Sequence, residues 1–576
     1  MLEAHPLDIA EPWRELEQAQ VLRDGAFAHD LILETARASV PLPIARLLHR
    51  RIAAHLTAQA ALPDRIAPHW AGAGEWQAAG DAYAAAARRA QAASQRSHEV
   101  ECWGLAANAF DRAGAVDAAF DARCASIDAL IVVRGVTQAN TAIEALLCAA
   151  RTDAQRAAAL TAKATAALMA ADHPTGIAAA LQAAELARDF ASPWPGFAAA
   201  RLHAVGLAQA GRAKEALAVI EPYRGLIDKD DAPAEQRGRF WADYAYVLNA
   251  ARRLRDTGFA LQQAIDNAAA LGDLAEQATL TSNLATVTGN LGRVPEALAL
   301  AERSLALQAE LGATDGPEGA VVETYAALYG AMVGRYDEAL RRLDAAIACF
   351  RRDRQAIWVA VASNHKAQFL VELGQFARAR QALDGEPPPI DHVRARTAHI
   401  AARIERALGH SGRTQIGNAV ALLGAGADAH VRMHVLLEPA DADDPAAALR
   451  RCDEVIEMAE ALEFAGVAMK ARLLRAQALS RLGQGEAAAA AMRELVPHLA
   501  TLQPADLYFG HAWWLAAQVF EASGDGDEAL MALGQGAQWV RRVALPHVPE
   551  AFRESFMQRN PVNRALLAAA DRRLAR

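Results

Sequence analysis

The residues whose type and spacing come nearest to metal chemistry are two histidines, His430 and His434. On a helix they would lie one turn apart on the same face, as metal ligands sometimes do. No cysteine stands near them to complete a ligand set. We therefore interpret the pair as solvated or core histidines, and the sequence predicts no metal site.

Nucleotide and hydrolase chemistry also lack a sequence motif. The chain has five lysines and none follows a glycine, so it contains no phosphate-binding loop of the form GxxxxGK[ST]. The patterns HExxH, GxSxG and GxGxxG are missing too. We therefore expect a protein that is not an enzyme, with no catalytic residue and no cofactor.

Composition excludes further classes of protein. The 576 residues are 53% hydrophobic and carry a net charge of −9, so the chain can bury a core and is not a globally basic nucleic-acid binder. Its five cysteines lie far apart without a CxxC pair, which indicates neither a disulfide framework nor a zinc knuckle. With no signal peptide and no long apolar run, we expect a cytoplasmic protein that binds neither nucleic acid nor membrane.

The elements that must position any site are internal repeats. Eight glycines open similar turn-plus-helix segments, and neighbouring glycines recur at steps near 40 residues, as from Gly74 to Gly114 and from Gly334 to Gly374. A period of this length indicates a solenoid of stacked units. The glycines are Gly74, Gly114, Gly211, Gly292, Gly334, Gly374, Gly483 and Gly524, with weaker copies around Arg255 and Gly412.

Alanine stands at two fixed positions in each repeat, seven residues before and five residues after every one of the eight glycines. Two antiparallel helices pack closely only where small side chains let their backbones approach. Glycine between them supplies the left-handed conformation that ends the first helix. The pattern therefore predicts a helical hairpin in each repeat, with the alanines in its core.

This arrangement resembles the tetratricopeptide repeat, with longer helices than the usual unit because the period is about 40 rather than about 34 residues. HEAT or armadillo repeats share the longer period and remain an alternative. The resemblance implies an all-α fold, a right-handed superhelical solenoid of about 11 or 12 hairpins.

In such arrays the first helix of each unit lines a concave groove, and the offsets from the turn glycine select a set of polar residues here. Amides and hydroxyls dominate this set, and they can satisfy a ligand without the desolvation cost of charge. Ordinary polar surface positions are the alternative. The predicted groove residues are Asn249, Arg252, Ser282, Thr286, Asn290, Thr324, Asn364, Gln368 and Glu372, followed towards the C-terminus by Lys470, Gln477, His511 and Gln518.

The ends of the chain depart from the repeat. Phe27-Ala28-His29-Asp30 and the stretch from Leu48 to Ala53 resemble the end of the winged-helix module in STAND-class ATPases, large bacterial transcriptional regulators of the maltose-activator type. A plain helical cap is the alternative. The predicted domains are a helical remnant at 1–60, the repeats at 61–545 and a C-terminal capping helix at 546–576, without the ATPase and DNA-binding domains of that class.

Two functions follow from this interpretation. The first is a sensor or regulatory module for signal transduction or transcription, which binds a protein, peptide or small-molecule effector in the concave groove. The second is a scaffold for protein assembly without any switching.

Overall fold

The chain divides into two compact units, Met1–Tyr223 and Arg224–Arg576. The computed structural model describes residues 6–23, 26–27, 34–35, 39–93, 95–229, 231–312, 316–424, 428–438 and 444–574. Part of the string that resembles a winged-helix module, including His29 and Asp30, lies outside these ranges.

In the part of it that the structure describes, the first unit is built of helices, apart from one pair of two-residue strands. These strands, β1 (Leu22–Arg23) and β2 (Ala26–Phe27), are antiparallel, with Leu22 opposite Phe27. The helices are α1 (Pro6–Gln18), α2 (Leu42–Ala58), α3 (Pro63–Ala73), α4 (Trp76–Ala92), α5 (Arg96–Ala113), α6 (Val116–Ala125), α7 (Ile127–Arg134), α8 (Val136–Ala149), α9 (Asp153–Met169), α10 (His173–Leu186), α11 (Trp194–Gln209) and α12 (Ala213–Ile220).

The second unit is all helical in the part of it that the structure describes. Its helices are α13 (Arg224–Ile227), α14 (Ala234–Ala250), α15 (Leu254–Leu271), α16 (Leu274–Asn290), α17 (Val294–Glu310), α18 (Pro317–Met332), α19 (Tyr336–Arg352), α20 (Ala356–Glu372), α21 (Phe376–Ala382), α22 (Asp391–Ala407), α23 (Arg413–Leu422), α24 (Ala429–Leu437), α25 (Pro445–Ala461), α26 (Ala465–Arg481), α27 (Gly485–Leu495), α28 (Phe509–Ser523), α29 (Gly526–Gln538), α30 (Arg553–Gln558) and α31 (Pro561–Leu574).

The predicted all-α hairpin array is confirmed, together with its register. All eight turn glycines have a φ between 71° and 95°, the left-handed region that glycine enters without the cost of a Cβ. All sixteen alanines at the two fixed positions are buried, none of them more than 3% exposed. The small side chains therefore lie where the two helices of each hairpin approach most closely.

Overpacking tests this register. We expect Ala285→Leu and Ala327→Leu each to lower the free energy of unfolding by about 1–3 kcal/mol, because both alanines are at most 1% exposed and the added methyl groups have no space. Ala309→Leu is the matched control, at an exposed position of the same unit. Chemical denaturation followed by circular dichroism measures the change. Equal stability of all three variants would show that the two buried positions are not hairpin contacts.

The weaker repeat around Arg255 turns earlier than its sequence suggests. Helix α14 ends at Ala250, and Arg252 lies in the following turn with a φ of 59°. Gly292 occupies the equivalent turn position in the next repeat. The expectation that Arg252 lies on the first helix of its hairpin is therefore wrong. The register slipped because this turn has no glycine to mark it.

The C-terminal segment holds two helices, α30 and α31, where one capping helix was predicted. It contacts a turn some 180 residues earlier in the same unit. The Ser555 hydroxyl donates to the carbonyl of Leu373 at 2.7 Å, and the Asn560 amide donates to the carbonyl of Glu372 at 2.7 Å. The chain end therefore supports the helix that carries Glu372.

Candidate functional site

A cavity of about 380 Å³ lies inside the second unit. Its wall is formed by the first helices of successive hairpins, α16, α18, α20 and α22, together with α24, the segment 505–508 and the first residue of α28. Tyr325, Tyr329, Phe369 and Phe464 give it an aromatic surface. The repeat therefore brings residues from 252 to 509 around one cavity.

Six of the nine predicted groove residues line this cavity. Five of them lie on α16 and α20 where the offset rule placed them, because helices that start at equivalent repeat positions present equivalent faces. The sixth, Arg252, reaches the cavity from the turn after α14. The six are Arg252, Thr286, Asn290, Asn364, Gln368 and Glu372.

The other three predicted residues do not line the cavity. Asn249 is exposed, and Ser282 is half-buried outside the lining. Thr324 is fully buried, and its hydroxyl donates to the carbonyl of Ala320 in its own helix at 2.8 Å. Among the C-terminal candidates, Gln477, His511 and Gln518 line a separate cavity of about 250 Å³.

Three buried polar atoms of residues in the cavity wall have no hydrogen-bond partner among the described residues, Oδ1 of Asn364, Nδ1 of His365 and Nδ1 of His434. The first two belong to α20, in adjacent positions of its sequence. A buried polar atom without a partner costs free energy comparable to that of a lost hydrogen bond. Residues that line the cavity therefore carry hydrogen-bonding capacity that no described residue uses.

Glu372 lies at the end of α20 with its carboxyl group inside the unit, 8% exposed. The Tyr336 hydroxyl donates to Oε2 at 2.8 Å, and the Gln368 amide lies 3.5 Å from Oε1. Burial raises the pKa of Glu372 to about 7, although the charge of Arg403 acts in the opposite direction. Near neutral pH the cavity therefore holds an acid poised between its two protonation states.

Three buried histidines of the cavity wall, His365, His430 and His434, are neutral at pH 7. Burial lowers the pKa of His365 and of His430 to about 4. It also holds the pKa of His434 well below its usual value, and the neighbouring His430 adds to that effect. His430 and His434 lie with Nε2 atoms 3.2 Å apart and rings edge to face, so the pair belongs to the interior.

His399 shows how one of these neutral rings is held. Burial, and then the charge of Arg396, keep its pKa well below the usual value. Its Nε2 lies 2.7 Å from a carboxylate oxygen of Glu438, and its Nδ1 lies 2.8 Å from the Arg396 guanidinium. A neutral ring fits both partners, because Nε2 then donates to Glu438 while Nδ1 accepts from Arg396.

Asp506 is the centre of the largest buried charge network of the site. It is 5% exposed and accepts two hydrogen bonds of 2.8 Å from Arg396 and one of 3.0 Å from Arg403. The ammonium of Lys470 lies 3.6 Å from the same carboxylate. Burial alone would raise the pKa of Asp506, but these three cations outweigh it and hold the pKa well below the usual range.

The segment that carries Asp506 joins distant parts of the unit. Gln503 donates its backbone N–H to the carbonyl of Gly292 at 2.9 Å, and Ala505 donates to Gly466 at 2.9 Å. Asp506 itself has a φ of 54°, rare for a residue with a Cβ. The offset rule could not select Asp506, because it considers only helix positions. The sequence feature that points to this segment is the long connection between α27 and α28.

A larger cavity of about 790 Å³ lies beside the other face of α20. Helix α21 has only seven residues, whereas the second helices of the two preceding hairpins have seventeen. The loop after it, with Pro387 and Pro388, borders the space instead. Asn364 is the only predicted groove residue in its wall, so we take the smaller cavity as the candidate site.

Comparison with known proteins identifies the repeat. The sequence model of the family described as "Tetratricopeptide repeat" matches residues 276–352, which contain α17, α18, α19 and most of α16. This match shows that the chain contains tetratricopeptide repeats, with Gly292 and Gly334 as their inter-helix turns. The matched family is a repeat and not a catalytic domain.

Several solved structures are similar over most of their own length. One is the apo form of the quorum sensor NprR from B. thuringiensis, at 12% identity and a TM-score of 0.42, covering 59% of this chain and 97% of that one. A Rap protein complexed with competence and sporulation factor is similar at 13% identity and a TM-score of 0.38, covering 72% of this chain and 99% of that one. The APC/C hetero-tetramer Cut9-Hcn1 is similar at 11% identity and a TM-score of 0.40, covering 89% of this chain and 96% of that one. No curated protein sequence matches the chain.

None of the described helices combines the length and the hydropathy that a bilayer crossing requires.

Proposed function

We propose that the second unit is an effector-binding module, which recognises a small molecule in the 380 Å³ cavity and changes its interaction with a regulatory partner when the cavity is occupied. The observation that carries this proposal is the pair of buried, unpartnered atoms on α20, Oδ1 of Asn364 and Nδ1 of His365. The volume supports a small molecule, since such sites measure about 300–1,000 Å³.

The charges of the wall favour an effector with little net charge. Arg396 is paired with Asp506, and Arg252 lies 3.8 Å from Asp428, so neither guanidinium needs an anionic ligand. The buried rings of His365, His430 and His434 are neutral. The effector we propose is a compact molecule with a planar or apolar face for the aromatic wall and hydrogen-bonding groups for α20.

The regulatory context is part of the same proposal. The resemblance of the residues from Phe27 to Ala53 to the end of a winged-helix module supports a regulator of the STAND class, in which a nucleotide switch responds to occupancy of the repeats. Reading the genomic frame before Met1 tests this point. A phosphate-binding loop there supports the proposal, and an unrelated domain in that position contradicts it.

Replacing Asn364 separates binding from stability. We expect Asn364→Leu to weaken effector binding by about 1–3 kcal/mol, ten- to hundredfold, because leucine has a similar shape but no hydrogen-bonding group. Stability should stay equal or rise, since the substitution removes an unsatisfied buried atom. A thermal-shift panel of free amino acids, nucleosides, monosaccharides and dipeptides provides the ligands.

Asn283→Leu is the matched control, at an exposed position of α16. A panel molecule that stabilises the wild type and the control but not Asn364→Leu supports the proposal. If a molecule binds all three proteins equally, the cavity is not its site. If only protein partners are captured, and Asn364→Leu captures them equally well, the chain is a scaffold.

A further inference from the structure

Three potential metal ligands meet in the first unit, where the sequence predicted none. Asp64 lies in the first turn of α3, and His98 and Cys102 lie one turn apart on α5. The Oδ1 atom of Asp64 is 3.2 Å from Nε2 of His98, and the Cys102 sulfur is 3.6 Å from the same nitrogen. The sulfur lies 4.0 Å from Oδ1 of Asp64. One carboxylate, one imidazole and one thiol therefore face a common point.

These separations are close to the edges of a zinc coordination tetrahedron. Zinc binds nitrogen and oxygen at about 2.0–2.2 Å and sulfur at about 2.3 Å, so tetrahedral geometry separates N and O ligands by about 3.3 Å. The same geometry separates a sulfur ligand from a nitrogen or oxygen ligand by about 3.6 Å. The distances from Nε2 of His98 to Asp64 and to Cys102 agree with these values within about 0.1 Å. The distance between Asp64 and Cys102 is about 0.4 Å too long, and a rotation of the Asp64 side chain can supply this change.

We propose that Asp64, His98 and Cys102 bind a zinc ion, with water in the fourth position. The ligand set joins a hard oxygen, an imidazole and a soft thiolate, a combination that suits zinc better than calcium or magnesium. Binding forms the metal–sulfur bond and releases the thiol proton to solvent.

The charges around the cluster favour a cation. Within the described part of the chain, the polar partners of Asp64 are His98 and Cys102, and no lysine or arginine pairs with its carboxylate. Glu101 adds a second carboxylate, with an oxygen 3.9 Å from Nδ1 of His98. A divalent cation at this point would offset the charge of the two carboxylates.

The position of the cluster indicates a structural role. Helices α3 and α5 are the first helices of two successive hairpins, those that turn at Gly74 and Gly114. A zinc ion would cross-link the two helices, because Asp64 lies 34 residues before His98 and 38 residues before Cys102 in the sequence. Bound metal stabilises the folded chain, since the unfolded chain does not hold these ligands together.

Zinc binding can be measured on the full chain after chelator treatment. We expect isothermal titration with Zn²⁺ alone to give one tight site, and Co²⁺ to give the absorption of tetrahedral cobalt with a thiolate charge-transfer band. Cys102→Ser should weaken zinc binding at least 100-fold and abolish that band. The melting temperature of the wild type should rise with zinc, whereas that of Cys102→Ser should not.

His98→Asn is the second variant, because His98 is 42% exposed in its side chain and its replacement leaves the core intact. It should weaken zinc binding as strongly as Cys102→Ser. Cys148→Ser is the matched control, at an exposed cysteine outside the cluster. The proposal is wrong if the chelated wild type binds no zinc, or if both ligand variants bind it as tightly as the control.

Discussion

Asp506→Asn is expected to lower the free energy of unfolding of the second unit by about 3–5 kcal/mol. The asparagine keeps the shape of the side chain but removes its charge, and with it the carboxylate that pairs with Arg396, Arg403 and Lys470. Arg396 and Arg403 are each 16% exposed in their side chains and Lys470 only 4%, so water cannot replace the lost partner. Breaking a buried ion pair from one side costs this much because it leaves an uncompensated buried charge.

Asp571→Asn is the matched control for this prediction. Asp571 also accepts two hydrogen bonds from one arginine, at 2.7 and 2.8 Å from Arg541, but both partners lie at the surface. Its loss should cost less than about 1 kcal/mol. Urea denaturation of the two variants compares them directly. If Asp506→Asn costs as little as Asp571→Asn, the buried network is not ionised as described.

Local patterns predicted the hairpins because the packing of a repeat is local in sequence. The alanines seven residues before and five residues after each turn touch within one hairpin, so a fixed spacing captures them. Arg252 shows where this method stops. The turn there has no glycine, and an offset counted from Arg255 placed Asn249 and Arg252 three residues out of register.

The candidate site was predictable only in part, for a related reason. The offset rule gives the direction of a side chain from its helix but not its depth, which is why Thr324 was included although it is fully buried. It also cannot locate a partner from a distant loop. Asp506 meets Arg396 across 110 residues, and Asp64 meets Cys102 across 38, so neither cluster leaves a spacing that can be read along the chain.

Glu372→Gln is expected to raise the free energy of unfolding at pH 8 by about 3 kcal/mol, and the gain should shrink as the pH falls. The pKa of Glu372 is about 7 in the folded chain and ordinarily 4.5. Between these values the folded state binds a proton that the unfolded state lacks, so this group stabilises the fold at low pH. That contribution is lost as the pH rises through 7, at about 1.4 kcal/mol for each pKa unit.

The glutamine cannot ionise, yet its carbonyl oxygen can still accept the hydrogen bond that Tyr336 donates to Glu372. Comparing variant with wild type at each pH cancels the titration of the buried histidines, which both proteins share. Glu457→Gln, at an exposed position of α25, should show no such pH-dependent gain. If Glu372→Gln is instead less stable than the wild type at pH 8, then Arg403 stabilises the carboxylate charge more than burial opposes it. The cavity would then present an anion to its effector, and a cationic molecule would fit it better than an uncharged one.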